Sequence, residues 1–278
     1  MQYGFILPHG DIHELAQLAH EAEVAGWDGV FYWDGIYIKD AGPMYDPWIV
    51  LAAMALRTER VRLGLILTPP SRRRPWKLAR ETVTLDHLSH GRLILPVGLG
   101  ALEDGGFTKV GEITDRKLRA ELLDESLEIL TGLWSGKPFS FHGKHYHIEE
   151  MTFLPPPVQS PRIPIWVAGA WPSQKSMRRV LGYDGILPNK ITGGDAPEAI
   201  TPEDIRAIKA YIDEHRGQIT PFDIVQEGET PGDDRDQARE IVYPYAEAGV
   251  TWWTESRWSF PPIEELRRRI QQGPPRID

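Results

Sequence analysis

Residues 94–106 read ILPVGLGALEDGG. An apolar run meets Gly98-Leu99-Gly100, and two further glycines follow at Gly105 and Gly106. The pattern invites a dinucleotide-binding turn, which needs G-x-G-x-x-G between a strand and a helix. The position three after Gly100 is Glu103, and no helical periodicity starts there; the next helix is expected from Asp115. The dinucleotide reading fails on its own terms. What remains is a short apolar strand ending in glycine, a place for a plain turn or for a ligand that approaches the backbone closely.

Working outward, the same kind of strand recurs. The runs are GFILP (4–8), GVFYW (29–33), VRLGLIL (61–67), RLILPVG (92–98), IPIWVAG (163–169), DGILP (184–188), FDIVQEG (222–228) and VTWWTES (250–256). They are bounded by Gly, Pro or Asp, and several are continuously apolar, as strands covered on both faces are. Helix signals lie between them. Asp11 with Glu14 three residues on predicts a capped start. Asp46-Pro47 sets an N-cap before a first-turn proline, and Pro75 opens a helix that stops at Gly91. Leu118, Leu122, Leu123, Leu127, Leu130 and Leu133 give helical spacing over 115–134. Helices are also expected from Pro172 and over 202–216, 234–248 and 262–272.

AEVAGWDGVFYW (22–33), RRVLGYDGILPN (178–189) and YAEAGVTWW (245–253) repeat one theme, a helix ended by glycine and followed at once by a strand. Strand–helix alternation eight times over predicts an α/β fold, a (β/α)8 TIM barrel, with an open doubly wound sheet as the alternative. One stretch breaks the alternation: FSFHGKHYHIEE (139–150) reads as a hairpin inserted between strands four and five. No linker or low-complexity tract divides the chain, so residues 1–278 are read as one domain.

The chain has 278 residues and no cysteine, which excludes disulfides, thiolate metal sites and cysteine nucleophiles. Its formal charge of −9 argues against nucleic acid or an anionic membrane as partner. No signal-peptide pattern opens the sequence and no apolar run is long enough to span a bilayer, so a cytoplasmic location is expected.

The stretches YWDG (32–35), GLILTPPSRRRPWKLARETVTLDHLSHGRLILPVGLG (64–100), IPIWVAGAWP (163–172), YDGILPN (183–189) and GVTWWTE (249–255) together resemble the luciferase-like flavin-dependent monooxygenases and oxidoreductases. The Leu-Asp-x-Leu-Ser-x-Gly-Arg run at 85–92 is the most specific part. The resemblance implies a barrel that binds FMN, or the 8-hydroxy-5-deazaflavin coenzyme F-420, at the C-terminal ends of its strands. It places a non-proline cis peptide at Leu65-Ile66, Gly98, Leu99 and Gly100 along the ring or phosphate, and Gly169, Ala170, Trp171 and Ser173 at the phosphate. Asn189 and Lys190 would complete the anion site. It also implies a homodimer and, for the FMN version, a flavin reductase as partner. Two departures stand out. Many members follow strand two with a histidine where this chain has Asp34-Gly35, and the related sugar-phosphate dehydrogenases carry a glutamate where it has Ala101.

Asp34 is therefore the surviving catalytic candidate, either bonding the flavin edge or moving a proton, against a plain loop-capping role. His9, Trp33 and Trp253 are candidate substrate contacts, and Trp171 is a further candidate wall. Arg72, Arg73 and Arg74 either draw in an anion or pair with carboxylates of neighbouring helices. His142, His145 and His147 on the hairpin lack a persuasive further ligand, so no metal is expected. Glu227, Glu229 and Glu255 end strands seven and eight and raise the alternative of a carboxylate-pair glycoside hydrolase. A non-catalytic flavin-binding protein is another alternative. The expected function is oxidation or oxygenation of a small, largely apolar organic molecule, by FMN and oxygen or by hydride transfer with the deazaflavin.

Overall fold

The structure is a computed structural model and describes residues 1–39, 41–190 and 198–277. Eight parallel strands form one sheet: β1 (Gln2–Ile6), β2 (Gly29–Tyr32), β3 (Arg62–Leu65), β4 (Leu95–Val97), β7 (Ile165–Trp171), β8 (Gly185–Lys190), β9 (Asp223–Gly228) and β10 (Trp252–Glu255). Their order is β3-β2-β1-β10-β9-β8-β7-β4. Parallel bridges Leu63↔Leu93 and Thr68↔Val97 join the two ends and close the ring. The expected antiparallel hairpin is β5 (Pro138–His142) with β6 (His147–Thr152), between barrel strands four and five.

The helices begin where the caps predict. α1 (Ile12–Val24) carries the Asp11–Glu14 capping box, and α2 (Pro47–Arg57) starts at Asp46, whose carboxylate accepts from the Trp48 and Ile49 amides. α3 (Pro75–Leu88) follows. A one-turn helix α4 (Gly105–Thr108), absent from the sequence expectation, forms because Asp104 accepts from the Gly106 N–H. α5 (Arg116–Trp134), α6 (Gln174–Val180), α7 (Pro202–His215), α8 (Arg235–Ala248) and α9 (Ile263–Gln271) complete the outer layer. No helix among the described residues is long and apolar enough to cross a membrane.

The core has two parts. Ile6, Phe31, Ile94, Trp166, Val225 and Trp252 fill the barrel interior, and a larger cluster lies between strands and helices. Three large rings fit inside a small barrel because glycines face them. A Cβ on Gly4 would stand 2.6 Å from the Phe31 ring, and one on Gly185 would stand 2.4 Å from the Trp166 ring. Large opposite small is the way an eight-stranded interior reaches close packing.

The 85–92 motif fastens this frame. Asp86 accepts from the Val158 and Gln159 amides at 2.8 and 3.1 Å and pins the chain returning from the hairpin. Arg92 is buried with no carboxylate partner among its bonds. It donates instead to the carbonyls of Ser89, Val61, Ala55 and Thr58 and to the Thr58 hydroxyl, at 2.7–3.0 Å. Helix C-termini leave carbonyls without intrahelical partners, and this guanidinium takes those of Ala55 and Thr58 at the end of α2, while the Thr58 hydroxyl donates to that of Met54.

Candidate active site

A cavity of about 940 Å³ opens at the C-terminal ends of the strands. Its floor and walls follow from strand alternation, because residues two apart share a face. Gly64 and Trp166 face the barrel interior, and so Ile66, Ala168 and Ala170 continue that face into the cavity. Leu187 packs on the interior cluster, and Asn189 follows it to the rim. Leu99 and Gly100 enter from the loop after β4. A non-proline cis peptide at the end of β3 lies at Ile66-Leu67, one residue beyond the expected Leu65-Ile66.

Asp34 lines the cavity but is engaged by two arginines. Its side chain has 0% exposure; Oδ1 accepts from Arg72 at 3.0 Å, and Oδ2 accepts from Arg73 at 2.8 and 3.0 Å. Arg72 also donates to the Asp34 carbonyl and to Asp104. Asp104 in turn accepts from the amides of Ile36 and Tyr37. Burial raises the Asp104 pKa, but the Arg72 guanidinium and the surrounding amides outweigh it and hold the carboxyl below its ordinary value. The network ties the loop after β2 to the loop after β4. Of the Arg72–Arg74 cluster, Arg72 and Arg73 pair with carboxylates, while Arg74 sits 6.0 Å over the Trp76 ring.

A second group of arginines stands on the side of α5 and α6. Arg119 donates to the carbonyls of Leu99 and Gly100 at 2.9 and 3.0 Å, and its buried Nε has no partner. Arg116 is exposed at the same rim. Arg179 reaches the cavity while bound to Asp124, and Ser176 Oγ accepts the Ala170 N–H at 2.9 Å. With Asp34 and Asp104 spent on arginines, Glu103 is the remaining lining carboxylate. An apolar slot between Ile66, Leu67, Leu99 and Ala168, beside this cationic rim, fits a flat ring with an anionic tail.

The opposite side is aromatic. Trp33 and Trp258 meet edge to face at 6.0 Å, and Phe260 packs on both at 6.2 and 6.3 Å. Trp33 Nε1 donates to the Pro8 carbonyl at 2.7 Å, which fixes its ring. Trp258 Nε1 donates to Glu227. Glu227 lies two residues beyond the interior residue Val225, so it shares the inward face of β9. Burial pushes its pKa up, hydrogen bonds from Trp258 and Ser256 oppose this, and Glu229 adds to the rise.

The structure thus gathers Trp33, Asp34, Ile66, Leu99, Gly100, Ala170 and Asn189 around one cavity. Other candidates point elsewhere. Leu65 is fully buried in the outer cluster, and Gly169 faces Ile186 and Val180. Trp171 packs on Tyr211, Lys190 pairs with Asp204 at 3.0 Å, and Trp253 packs on Tyr245. Each of these is one residue out of phase with an inward neighbour. Gly98 lies behind Leu67 and Ala168, and Ser173 stands at the start of α6, where Ser176 faces the cavity in its place. His9 Nε2 bonds the Pro261 carbonyl at 2.6 Å and its ring packs on Phe260, so it braces the aromatic side from behind.

The hydrolase pair separates. Glu255 faces outward with 0% side-chain exposure, bound to Thr230, Arg257 and Arg269, and Glu229 pairs with Arg257. The hairpin histidines also divide, His142 against His147 at 2.9 Å and His145 against Glu121. Sequence reasoning missed Trp258, Phe260, Arg116, Arg119 and Ser176. They lie in irregular segments or on helix faces whose partners are distant in sequence, and neither periodicity nor spacing marks them.

Residues 2–273 match the family model for luciferase-like monooxygenases. The chain is 30% identical over 234 residues to an F420-dependent glucose-6-phosphate dehydrogenase of Nakamurella multipartita, an alignment over 82% of this chain and 66% of that relative. The solved structure of an F420-dependent secondary alcohol dehydrogenase, in complex with an F420-acetone adduct, superposes with a TM-score of 0.80 at 16% identity, over 100% of this chain and 99% of that one. The monooxygenase RslO1 of Streptomyces bottropensis superposes with a TM-score of 0.75 at 22% identity, over 98% and 97%. The barrel is the fold these proteins share, and by the match over residues 2–273 the chain belongs to the luciferase-like monooxygenase family, as its strand-end motifs implied.

Proposed function

We propose that the chain is an oxidoreductase that holds a flavin-type coenzyme in the cavity and oxidises or oxygenates a small, largely apolar organic molecule. The observation that carries this reading is the division of one cavity into three parts. An apolar slot lies at Ile66, Leu99 and Ala168, a cationic rim at Arg116 and Arg119, and an aromatic wall at Trp33, Trp258 and Phe260.

The coenzyme supplies the electron transfer chemistry when bound. The chain's own residues position and seclude. Ile66, Leu67 and Leu99 clamp a flat ring and exclude water from its face. Arg119, fixed by its bonds to the Leu99 and Gly100 carbonyls, and the exposed Arg116 give the rim the positive charge that favours the tail. Trp33, Trp258 and Phe260 take the apolar body of the substrate. Asp34 is a fastening of the β2 and β4 loops, not a free acid.

FMN with oxygen, fed by a flavin reductase, is the first reading of the coenzyme. Hydride transfer with the deazaflavin F-420 is the second, and one observation favours it: the 30%-identical relative is F420-dependent. Titrating each coenzyme into purified protein and following tryptophan and coenzyme fluorescence decides between them. Tight binding of one selects the reaction type. Binding of neither rejects the reading.

A further inference from the structure

Next to the aromatic side of the cavity, just outside its lining, stands one polar group that the proposed function has not used. Glu227 stands at the C-terminal end of β9, on the inward face, above the packed interior of the barrel. Unlike Asp34 and Asp104, it forms no ion pair among the described residues. It accepts hydrogen bonds from neutral donors, Trp258 Nε1 and Ser256, and it stays accessible from the barrel mouth. The charged groups around it are committed elsewhere. Arg257 on the β10 loop binds Glu229 and Glu255, His9 on the β1 loop binds the Pro261 carbonyl, and Lys190 on β8 binds Asp204. Glu229, two residues on, is a like charge acting on it. The β8 rim presents the neutral Asn189.

We propose that Glu227 is the specificity-determining carboxylate of the substrate end, accepting a hydrogen bond from a hydroxyl on a substrate whose apolar body lies against Trp33, Trp258 and Phe260. The proposal rests on the reading of the cavity as a coenzyme-and-substrate site. A carboxylate oxygen carries more acceptor positions than one indole and one serine hydroxyl occupy. Glu227 is exposed to water in the free protein, and a ligand that displaces this water without offering a donor leaves the acceptor unpaired, which is costly. A ligand that supplies a donor is therefore favoured over its apolar isostere. Burial pushes the Glu227 pKa up, and no cation of the chain is among the groups that act on it. Trp258 does two things at once: its ring forms the wall, and its Nε1 fixes the carboxylate against that wall.

The test uses coenzyme-free protein and two probes of like shape, cyclohexanol and methylcyclohexane, with binding followed by ligand-observed NMR and tryptophan fluorescence. Wild-type protein is expected to prefer cyclohexanol by about tenfold, the worth of one hydrogen bond to a carboxylate. Glu227→Leu is expected to lose that preference while retaining methylcyclohexane, and its folding is checked by thermal unfolding. A second measurement does not depend on that variant. In protein labelled with 13C at the glutamate carboxyls, the resonance assigned to Glu227 is expected to titrate above the ordinary glutamate range and to move on adding cyclohexanol. Cyclohexylamine serves as the cationic control. Equal binding of the two neutral probes, a preference that survives in Glu227→Leu, or preference for the amine over the alcohol overturns the proposal. Coenzyme titrations of wild type and Glu227→Leu separate this outcome from failure of the functional reading. If neither FMN nor the deazaflavin binds wild type while the alcohol preference holds, the coenzyme reading falls and the role of Glu227 stands. If Glu227→Leu alone loses the coenzyme, the residue belongs to the coenzyme end and the proposal is wrong.

Discussion

Replacing Asp34 by asparagine separates a catalytic acid from a structural one. The wild-type carboxylate is fully enclosed, and both oxygens receive guanidinium donors. The amide has one acceptor oxygen and no charge, so Arg72 and Arg73 lose their shared counter-ion. Breaking a buried ion pair from one side costs about 3–5 kcal/mol, because a charge remains buried without compensation. Here Arg72 keeps Asp104, and Arg73 keeps Glu81 at 3.9 Å, which places the cost near the lower end. At about 2–4 °C per kcal/mol for a chain of this class, a loss of about 3 kcal/mol lowers the melting temperature by about 6–12 °C. The assay is thermal unfolding by circular dichroism, run beside coenzyme titration at a temperature where the variant is folded. Coenzyme affinity is expected to fall modestly, since the β2 and β4 loops loosen, and the pH profile of turnover is expected to keep its shape. An unchanged melting temperature with abolished turnover would refute the structural reading and restore Asp34 as an acid–base group.

Three further outcomes follow from the same geometry. Glu255→Gln removes the counter-charge of Arg257 and Arg269 and is expected to cost about 3 kcal/mol while leaving coenzyme affinity unchanged; a loss of activity at constant melting temperature would revive the hydrolase alternative. Gly98→Ala places a Cβ 2.7 Å from Leu67 and 2.9 Å from Ala168, so it pushes the floor of the slot inward, and fluorescence titration is expected to show weaker coenzyme binding with little change in far-ultraviolet circular dichroism. The raised pKa of Glu227 sets the sign of a pH effect. The folded state holds this proton longer than the unfolded state, so the group's contribution is fully present below the unfolded value of about 4.5 and is lost as pH rises through the folded value. Glu227→Gln has no such loss, and its melting temperature is expected to gain on wild type from pH 4 to pH 8; a difference flat with pH would show that burial does not act on this carboxylate.

The order of the elements was written in the sequence more plainly than the faces of the strands. Helix starts at Asp11, Asp46, Asp115 and Asp234 carry their caps in the local sequence, and the glycines at 26, 182 and 249 sit between helix and strand. Asp34 was readable as a strand-end carboxylate, but not as a partner of Arg72 and Arg73. That pairing joins residues 38 and 39 positions apart, and it depends on how the β2 and β3 loops meet in space. The hairpin was readable from alternation around Gly143, because one of its faces is exposed.

The site residues that the sequence misplaced share one cause. Leu65, Gly169, Trp171, Lys190 and Trp253 each neighbour a residue that does face inward: Ile66, Ala170 on both sides, Asn189 and Trp252. In a sheet with one wet face, polar residues mark the phase of a strand, and a slip of one residue exposes an apolar set. A parallel barrel strand is covered on both sides, by the packed interior and by the helices, so LIL, VAG and TWW carry no such mark. The phase is fixed instead by volume. Phe31, Trp166 and Trp252 can share the interior only if Gly4, Gly29, Gly64 and Gly185 face it, and that choice sets every inward residue above them. It sends Trp252 in and Trp253 out, and at the mouth it turns Ala168 and Ala170 toward the slot and Glu227 toward the aromatic wall. The glycines within these strands are therefore what decides which side chains a bound coenzyme or substrate meets.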